Sequence, residues 1–355
     1  MHYLEQVFKG KRVFLTGHTG FKGAWLLQML TRLGAIVKGY ALAPEQSDAL
    51  YHQINGDELC YSSVIADINN AAQLQAELVR FAPDFVFHLA AQALVRRSYH
   101  NPVDTFATNV MGTVHVLEAI RQLEQPCVAV MITTDKVYEN PENGLAFTEE
   151  DKLGGYDPYS ASKAACEIAI SSYIRSYFSD NNPANKPIVA MRAGNVIGGG
   201  DYAEDRIIPD IVRAIRDDKP VTLRNPNAVR PWQHVLEPLY AYLQTAALLY
   251  NNERPLAHAY NIGPEAGDVL PVLEVTQKFI EAFGKGSYTI DTANNHLHEA
   301  NLLLLNNERI KQDVGFVPRL TAHEAIRWTA QWYADAASTA ADKCAQQIEA
   351  YLQKA

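Results

Sequence analysis

The sequence is poor in cysteine. Its 355 residues hold four, Cys60, Cys127, Cys166 and Cys344, scattered with no Cys-x-x-Cys spacing. That scatter offers neither a disulfide framework nor a zinc site, and no metal is expected. Cys127 and Cys166 sit in apolar surroundings and read as core residues. Positive charge is also short: 31 Lys and Arg against 40 Asp and Glu leave a net charge of -9. Gripping nucleic acid needs the opposite surface, so no nucleic-acid partner is expected. An anionic small molecule in a locally positive pocket remains compatible with that charge. No apolar run is long enough to cross a bilayer, and the opening MHYLEQVFKGKRVFLTG lacks a signal-peptide layout. A cytoplasmic protein without a membrane partner is the expectation. Internal repeats and low-complexity tracts are lacking too.

What the chain does have is alternation. Short β-rich runs, RVFLTG, AIVKGYAL, SSVIAD, DFVFHLAA, CVAVMITT and PIVAMRAGN, take turns with helical patterns near residues 21–33, 70–81, 102–123 and 158–179. This predicts an α/β fold, a doubly wound parallel sheet of Rossmann type with helices on both faces. The strands are almost continuously apolar, as strands buried on both faces must be. Beyond about residue 195, Gly and Pro become frequent and helices dominate; HAYNIGP, near 258–264, reads as one more strand. The expected division is a dinucleotide-binding domain over 1–195, to which 235–263 returns. A smaller, mostly helical C-terminal substrate lobe covers 196–234 and 264–335, over the sheet's carboxyl edge, where open α/β sheets bind ligands. The polar, helix-forming tail, 336–355, reads equally as an appended helix or a frayed end.

LTGHTGFKGAWL carries Gly17, Gly20 and Gly23 directly after the first strand and at the start of a helix. Glycines there allow a tight turn, close approach of backbone to a pyrophosphate, and close helix–strand packing. The helix N-terminus then favours the negative charge. Dinucleotide binding follows. An acid at the end of the second strand would hold the adenosine ribose of NAD, yet GYALAPE has none before Glu45. NAD is the expected cofactor, with NADP left open. His18 and Lys22 lie inside the loop, either meeting phosphate or simply solvated. Asp67 and Ile68, at the end of the third strand, suit the adenine ring.

YDPYSASKAACEIAI holds Tyr159 and Lys163 four apart at a helix start, hence on one face. Pro158 fits a first helical turn. An ammonium beside a phenol favours phenolate and lowers the tyrosine pKa from about 10. Such a tyrosine can take a proton from a sugar hydroxyl while hydride leaves the same carbon.

These features resemble the extended short-chain dehydrogenase/reductase family over roughly residues 10–335. The likeness is carried by Gly17, Gly20 and Gly23, by HLAAQ (88–92), TNVMGT (108–113), Tyr159 with Lys163, and RAGNVIG (192–198). It implies an NAD(P) cofactor along the sheet edge, with Phe21, Ala90 and Ala91 among its contacts, and a nucleotide-sugar in the second lobe. It also implies that Tyr159 and Lys163 are the active-site pair and that the Thr134 hydroxyl bonds the reacting sugar oxygen. Epimerases of the family need only these three. Its nucleotide-sugar 4,6-dehydratases need an acid and a base directly after the hydroxyl. C4 is oxidised, C5 loses a proton while C6 loses water, and hydride returns to C6. TTDKVY has that order, with Asp135 as acid and Lys136 as base. Thymidine-linked relatives have Asp-Glu there. Lysine serves as a base only when neutral, which needs burial or a positive neighbour.

GHTGFKG, TTDKVY, DRIIP and RPWQHV together resemble the members that act on CDP-glucose. That resemblance implies CDP-glucose as the substrate; the residues themselves do not select cytosine. It also implies diphosphate contact by Asn195, cover over the nucleotide by Arg206, and diphosphate or ribose contact by the planar fork of Arg230. Gln92 and Arg96 are expected to line the sugar pocket. The helices at 102–123 and 158–179 match the family's four-helix interface, implying a homodimer or tetramer. The competing readings are a nucleotide-sugar 4-epimerase and a non-catalytic NAD(P)-binding redox sensor.

Overall fold

The computed structural model describes residues 2–178, 186–291 and 302–354. Residues 292–301, within the expected second lobe, lie outside the described residues. Seven parallel strands form the central sheet: β1 (Arg12–Thr16), β2 (Ile36–Ala41), β3 (Ser62–Ile65), β4 (Phe85–His88), β5 (Val128–Thr134), β6 (Ile188–Ala193) and β7 (Ala259–Ile262). Their order across the sheet is β3-β2-β1-β4-β5-β6-β7. The run of neighbours reverses between β1 and β4, so the connections leaving those strands part and open a crevice at the carboxyl edge. β4, β5 and β6 are buried along their whole length, because helices cover both of their faces.

One face is packed by the helices Phe21–Arg32 and Leu236–Asn251, the other by Ala71–Phe81, Gly112–Arg121 and Pro158–Tyr177. A further core gathers Ile208, Ile211, Leu223, Trp232, Phe279 and Ile326 away from the sheet. Ile310, Val314, Phe316 and Leu320 belong instead to the core under the sheet.

The helix expected over 102–123 is not uniform. It runs as Pro102–Phe106, a π-turn Ala107–Met111, and Gly112–Arg121. The cause is Asn109, drawn inward. Its side chain accepts from the Gln92 amide (2.8 Å) and donates to the Gln92 carbonyl (3.0 Å) and to Ser162 Oγ (2.8 Å). Accommodating that polar side chain widens one turn of the helix.

The tail resolves as a packed helix, Ala340–Gln353, capped by Thr339. Cys344, Ile348 and Tyr351 fall on one helical face and are buried in the core with helix Phe21–Arg32. Tyr351 donates to Glu237 Oε2 at 2.7 Å, and Arg319 donates to the Tyr351 carbonyl at 3.0 Å. Burial of each such large apolar side chain contributes about 1.5–3 kcal/mol, which holds the helix down.

Candidate active site

The glycine loop lies where β1 ends. Gly17 has φ 74°, and an added Cβ would sit 2.7 Å from the Ala90 nitrogen. At Gly23 an added Cβ would meet the Gly17 carbonyl at 2.0 Å. Loop, helix and β4 are therefore in backbone contact. Gly20 caps helix Phe21–Arg32 with ordinary extended torsions, and an added Cβ would sit in ordinary van der Waals contact, 3.4 Å from the Gly17 carbonyl oxygen. The cradle is open on the Gly20 side, and the helix N-terminus faces it with no side-chain cap. This fits a dinucleotide pyrophosphate. Ala90 holds the rim by donating to Thr16 Oγ1 at 3.2 Å. Asp67 is exposed at the end of β3, its carboxylate accepting from the Asn69 amide. Ile68 instead buries its side chain against Gly112.

Neither charged loop residue is simply solvated. His18 is fully buried, its ring seated on Gly39 of β2 and bonded to Ser63 Oγ at 2.9 Å. Burial pushes its pKa down to about 4, so it carries no charge toward a phosphate. Lys22 turns into a cavity, where Nζ donates to Tyr242 Oη at 2.9 Å. Burial, with Lys163 and Arg206 nearby, pushes it down to about 7.

That cavity, of about 430 Å³, opens over the ends of β5 and β6. Thr134, Lys136, Tyr159 and Lys163 line it from the sheet side; Arg206 and Arg230 line it from the other core. Phe21, Ala91, Arg96 and Asn195 also contribute to its wall. Asp157 starts the helix that carries the tyrosine and lysine, its carboxylate accepting from the Ser160 amide (3.0 Å) and hydroxyl (2.6 Å).

Burial pushes the Tyr159 phenol up to about 12. The opposing pull comes first from its hydrogen bond with Thr134 and, among cations, from Arg206 rather than Lys163. The expected lowering by Lys163 is therefore outweighed, because both side chains are desolvated: burial lowers Lys163 itself, and its Nζ donates to the Ile132 carbonyl at 3.3 Å.

Asp135 is fully buried. Its Oδ1 accepts from Thr134 Oγ1 at 2.9 Å and from Lys136 Nζ at 3.0 Å, while Oδ2 has no hydrogen-bond partner among the described residues. Lys136 also donates to Asn195 Oδ1 at 3.3 Å. Hydroxyl, acid, base and amide thus form one connected group at the cavity floor. Arg206 is held by Asp201 at 3.0 Å, Arg96 reaches Asp205 at 3.4 Å, and Arg230 donates to the Val229 carbonyl at 2.9 Å.

Gln92 departs from expectation. Its amide nitrogen donates to the Leu94 carbonyl (3.1 Å) and Thr105 Oγ1 (2.9 Å), and its oxygen accepts from the Leu94 amide (2.7 Å). With its polar atoms satisfied inside the protein it fixes the loop after β4 and does not line the cavity.

Sequence reasoning missed the support under the site. Arg192 grips Glu167 through two bonds of 3.0 and 2.9 Å and donates to Tyr138 Oη at 2.9 Å. Thr133 bonds the same glutamate, and Tyr138 donates to Asn261 Oδ1 at 2.6 Å. This buried network ties β5, β6, β7 and helix Pro158–Tyr177 together beneath the reacting groups. Its members lie far apart in sequence and had no local signal. Asp157, before a proline and three residues from Ser160, did have a capping signal. Among the described residues, no group of three or more His, Cys, Asp or Glu could hold a metal, and no helix is long and apolar enough to cross a membrane.

The family model for GDP-mannose 4,6 dehydratase matches residues 14–329, and the chain belongs to that family. It is 42% identical over 331 residues to the CDP-glucose 4,6-dehydratase of Salmonella typhimurium, covering 92% of this chain and 91% of that one. It is 30% identical to the dTDP-glucose 4,6-dehydratase of Streptomyces antibioticus, over 91% of this chain and 92% of that one. Among solved structures, UDP-glucose 4-epimerase of Thermus thermophilus with NAD superposes with a TM-score of 0.76 at 26% identity, covering 92% of this chain and 99% of that one. The dTDP-glucose 4,6-dehydratase of Bacillus anthracis with NAD gives 0.74 at 22% identity, covering 91% and 96%. The latter likeness is one of fold.

Proposed function

We propose that this protein is an NAD-dependent nucleotide-sugar 4,6-dehydratase that converts CDP-glucose to CDP-4-keto-6-deoxyglucose and water. The observation that carries the reading is Thr134 and Lys136 lining one cavity with Tyr159, joined by the fully buried Asp135 directly behind them. An epimerase has no use for a buried acid bonded to a base there. The 42% identical Salmonella enzyme supports the same substrate.

The glycine cradle, with Ala90 and Ala91, would hold NAD, which when bound supplies the oxidant for C4 and the reductant for C6. Tyr159 takes the C4 hydroxyl proton, with Thr134 bonded to the same oxygen and Arg206 favouring phenolate. Lys136, neutral at that moment, removes the C5 proton made acidic by the C4 ketone. Asp135, protonated, gives its proton to the C6 hydroxyl, which leaves as water. The 3.0 Å contact between them then passes the proton from lysine to aspartate and resets both. As C6 is reduced, C5 takes a proton from solvent, and Tyr159 gives its own back to solvent, so every group is restored. Arg206 and Arg230 pair with the diphosphate. The cofactor domain takes 1–195 and 235–263, together with 308–320 and the tail helix, and the substrate lobe the rest. Val103 and Ile168, 82% and 61% exposed, give the helices at 102–121 and 158–177 an apolar face for a homodimer.

The test is incubation with CDP-glucose and catalytic NAD in deuterated water, read by NMR and mass. A 4-keto-6-deoxy product with one deuterium at C5 is expected. A C4 epimer formed without loss of water would overturn the reading.

A further inference from the structure

The cavity wall opposite the sheet carries an apolar stretch, Ile207, Leu223, Ala228 and Val272, suited to the faces of a planar ring. Into that wall come Asp210 and Arg224. Asp210 lies on helix Ile207–Arg216, and Arg224 directly follows strand Val221–Leu223. Asp210 Oδ1 is taken by Arg213, which is braced by the Tyr202 carbonyl at 2.9 Å and the Ala203 carbonyl at 3.2 Å. Oδ2 makes no hydrogen bond among the described residues, and the side chain keeps 31% of its surface. Other cavity aspartates are committed. Asp157 caps a helix, Asp201 holds Arg206, and Asp205 is shared by Arg96 and Arg224. Arg224 gives Nη1 to Asp205 at 2.6 Å, which aims the guanidinium and leaves further N–H groups to donate.

Cytosine presents two acceptors, O2 and N3, and one donor, the 4-amino group. Uracil and thymine present a donor at N3 and an acceptor at O4. A carboxylate beside a guanidinium offers one acceptor and a row of donors, the complement of cytosine and a mismatch to uracil at both positions. We propose that Asp210 and Arg224 read the substrate's base, Asp210 Oδ2 accepting from the 4-amino group and Arg224 donating to N3 and O2. This rests on the CDP-glucose reading above and supplies what the sequence did not, a reason for cytosine. Rejection of uracil comes from two desolvated polar groups left facing like partners.

The experiment compares kcat/KM for CDP-glucose and UDP-glucose in the unsubstituted enzyme, in Asp210→Asn and in Arg224→Leu. Asparagine still accepts from Arg213 and can donate to O4. In Asp210→Asn the CDP:UDP preference should fall by at least about tenfold. The change should lie in KM, with kcat on saturating CDP-glucose little altered. Arg224→Leu, partly exposed and outside the core, should narrow the same ratio. An unchanged ratio in both variants, whether activity holds or falls equally on both substrates, overturns the proposal and leaves the dehydratase reading standing. Failure of the unsubstituted enzyme on CDP-glucose strikes that reading itself, and this one with it.

Discussion

Lys136 and Asp135 are neighbours in the chain and partners in space: Nζ lies 3.0 Å from Oδ1, with the lysine 26% exposed and the aspartate fully buried. Adjacent residues in an extended strand would point to opposite faces. The single helical turn Asp135–Val137 that follows β5 brings them to one side. The local backbone, rather than a distant residue, therefore makes the pair.

Lys136→Met removes the base while keeping most of the volume. Turnover should fall roughly 10²–10⁴-fold. The 4-ketone should still form, and deuterium should no longer enter C5. Normal turnover in this variant would mean the lysine is a bystander to the chemistry.

Tyr159 has its phenol pushed up to about 12, so the phenolate share grows as pH rises. kcat/KM should climb from neutral toward alkaline pH. In Tyr159→Phe, turnover should drop by a similar 10²–10⁴-fold, roughly, the climb should vanish and NAD affinity should hold. A variant with the same pH profile as the parent would assign the climb to another group.

Arg192→Met leaves Glu167 buried without its cation. The cost should be about 3–5 kcal/mol, seen as a lower Tm and denaturant midpoint. Adding Glu167→Met should recover much of it, because no charge then remains buried. A double variant as unstable as the single one would show that the ion pair itself stabilises the fold.

Glu237 is buried against the tail and its carboxyl is pushed up to about 7, chiefly by desolvation. From about pH 4 to 7 the folded state keeps a proton that the unfolded chain has released. Stability should therefore fall as pH rises through that window, by roughly 3 kcal/mol in all. Glu237→Gln should flatten this slope in thermal melts taken across it. A slope unchanged by the substitution would place its origin elsewhere.

The middle of the sheet was legible because β4, β5 and β6 are buried on both faces and so read as unbroken apolar runs. Tyr159, Lys163, Thr134, Asp135 and Lys136 were legible because each sits at the end of such a run or on the first turns of a helix. Gln92 misled for a physical reason: a polar residue at a strand end can serve the backbone as readily as a ligand. His18 misled because nothing local says that Gly39, twenty-one residues on, leaves room for its ring. The tail stayed undecided because Cys344, Ile348 and Tyr351 are diluted among polar residues, and the partner face comes from the far end of the chain.

Gly17, Gly20 and Gly23 look like one signature, yet the clearances divide them. The outer two are demanded by the protein's own backbone, which would collide with any larger residue. The middle one is not demanded by the polypeptide, since its torsions are ordinary and an added Cβ would make only van der Waals contact with the Gly17 carbonyl. Architecture and ligand thus hold separate claims within seven residues. The first is enforced during folding; on the proposed function, the second acts only when a dinucleotide arrives. The middle position is therefore where a larger residue should cost the proposed cofactor its place without costing the protein its shape.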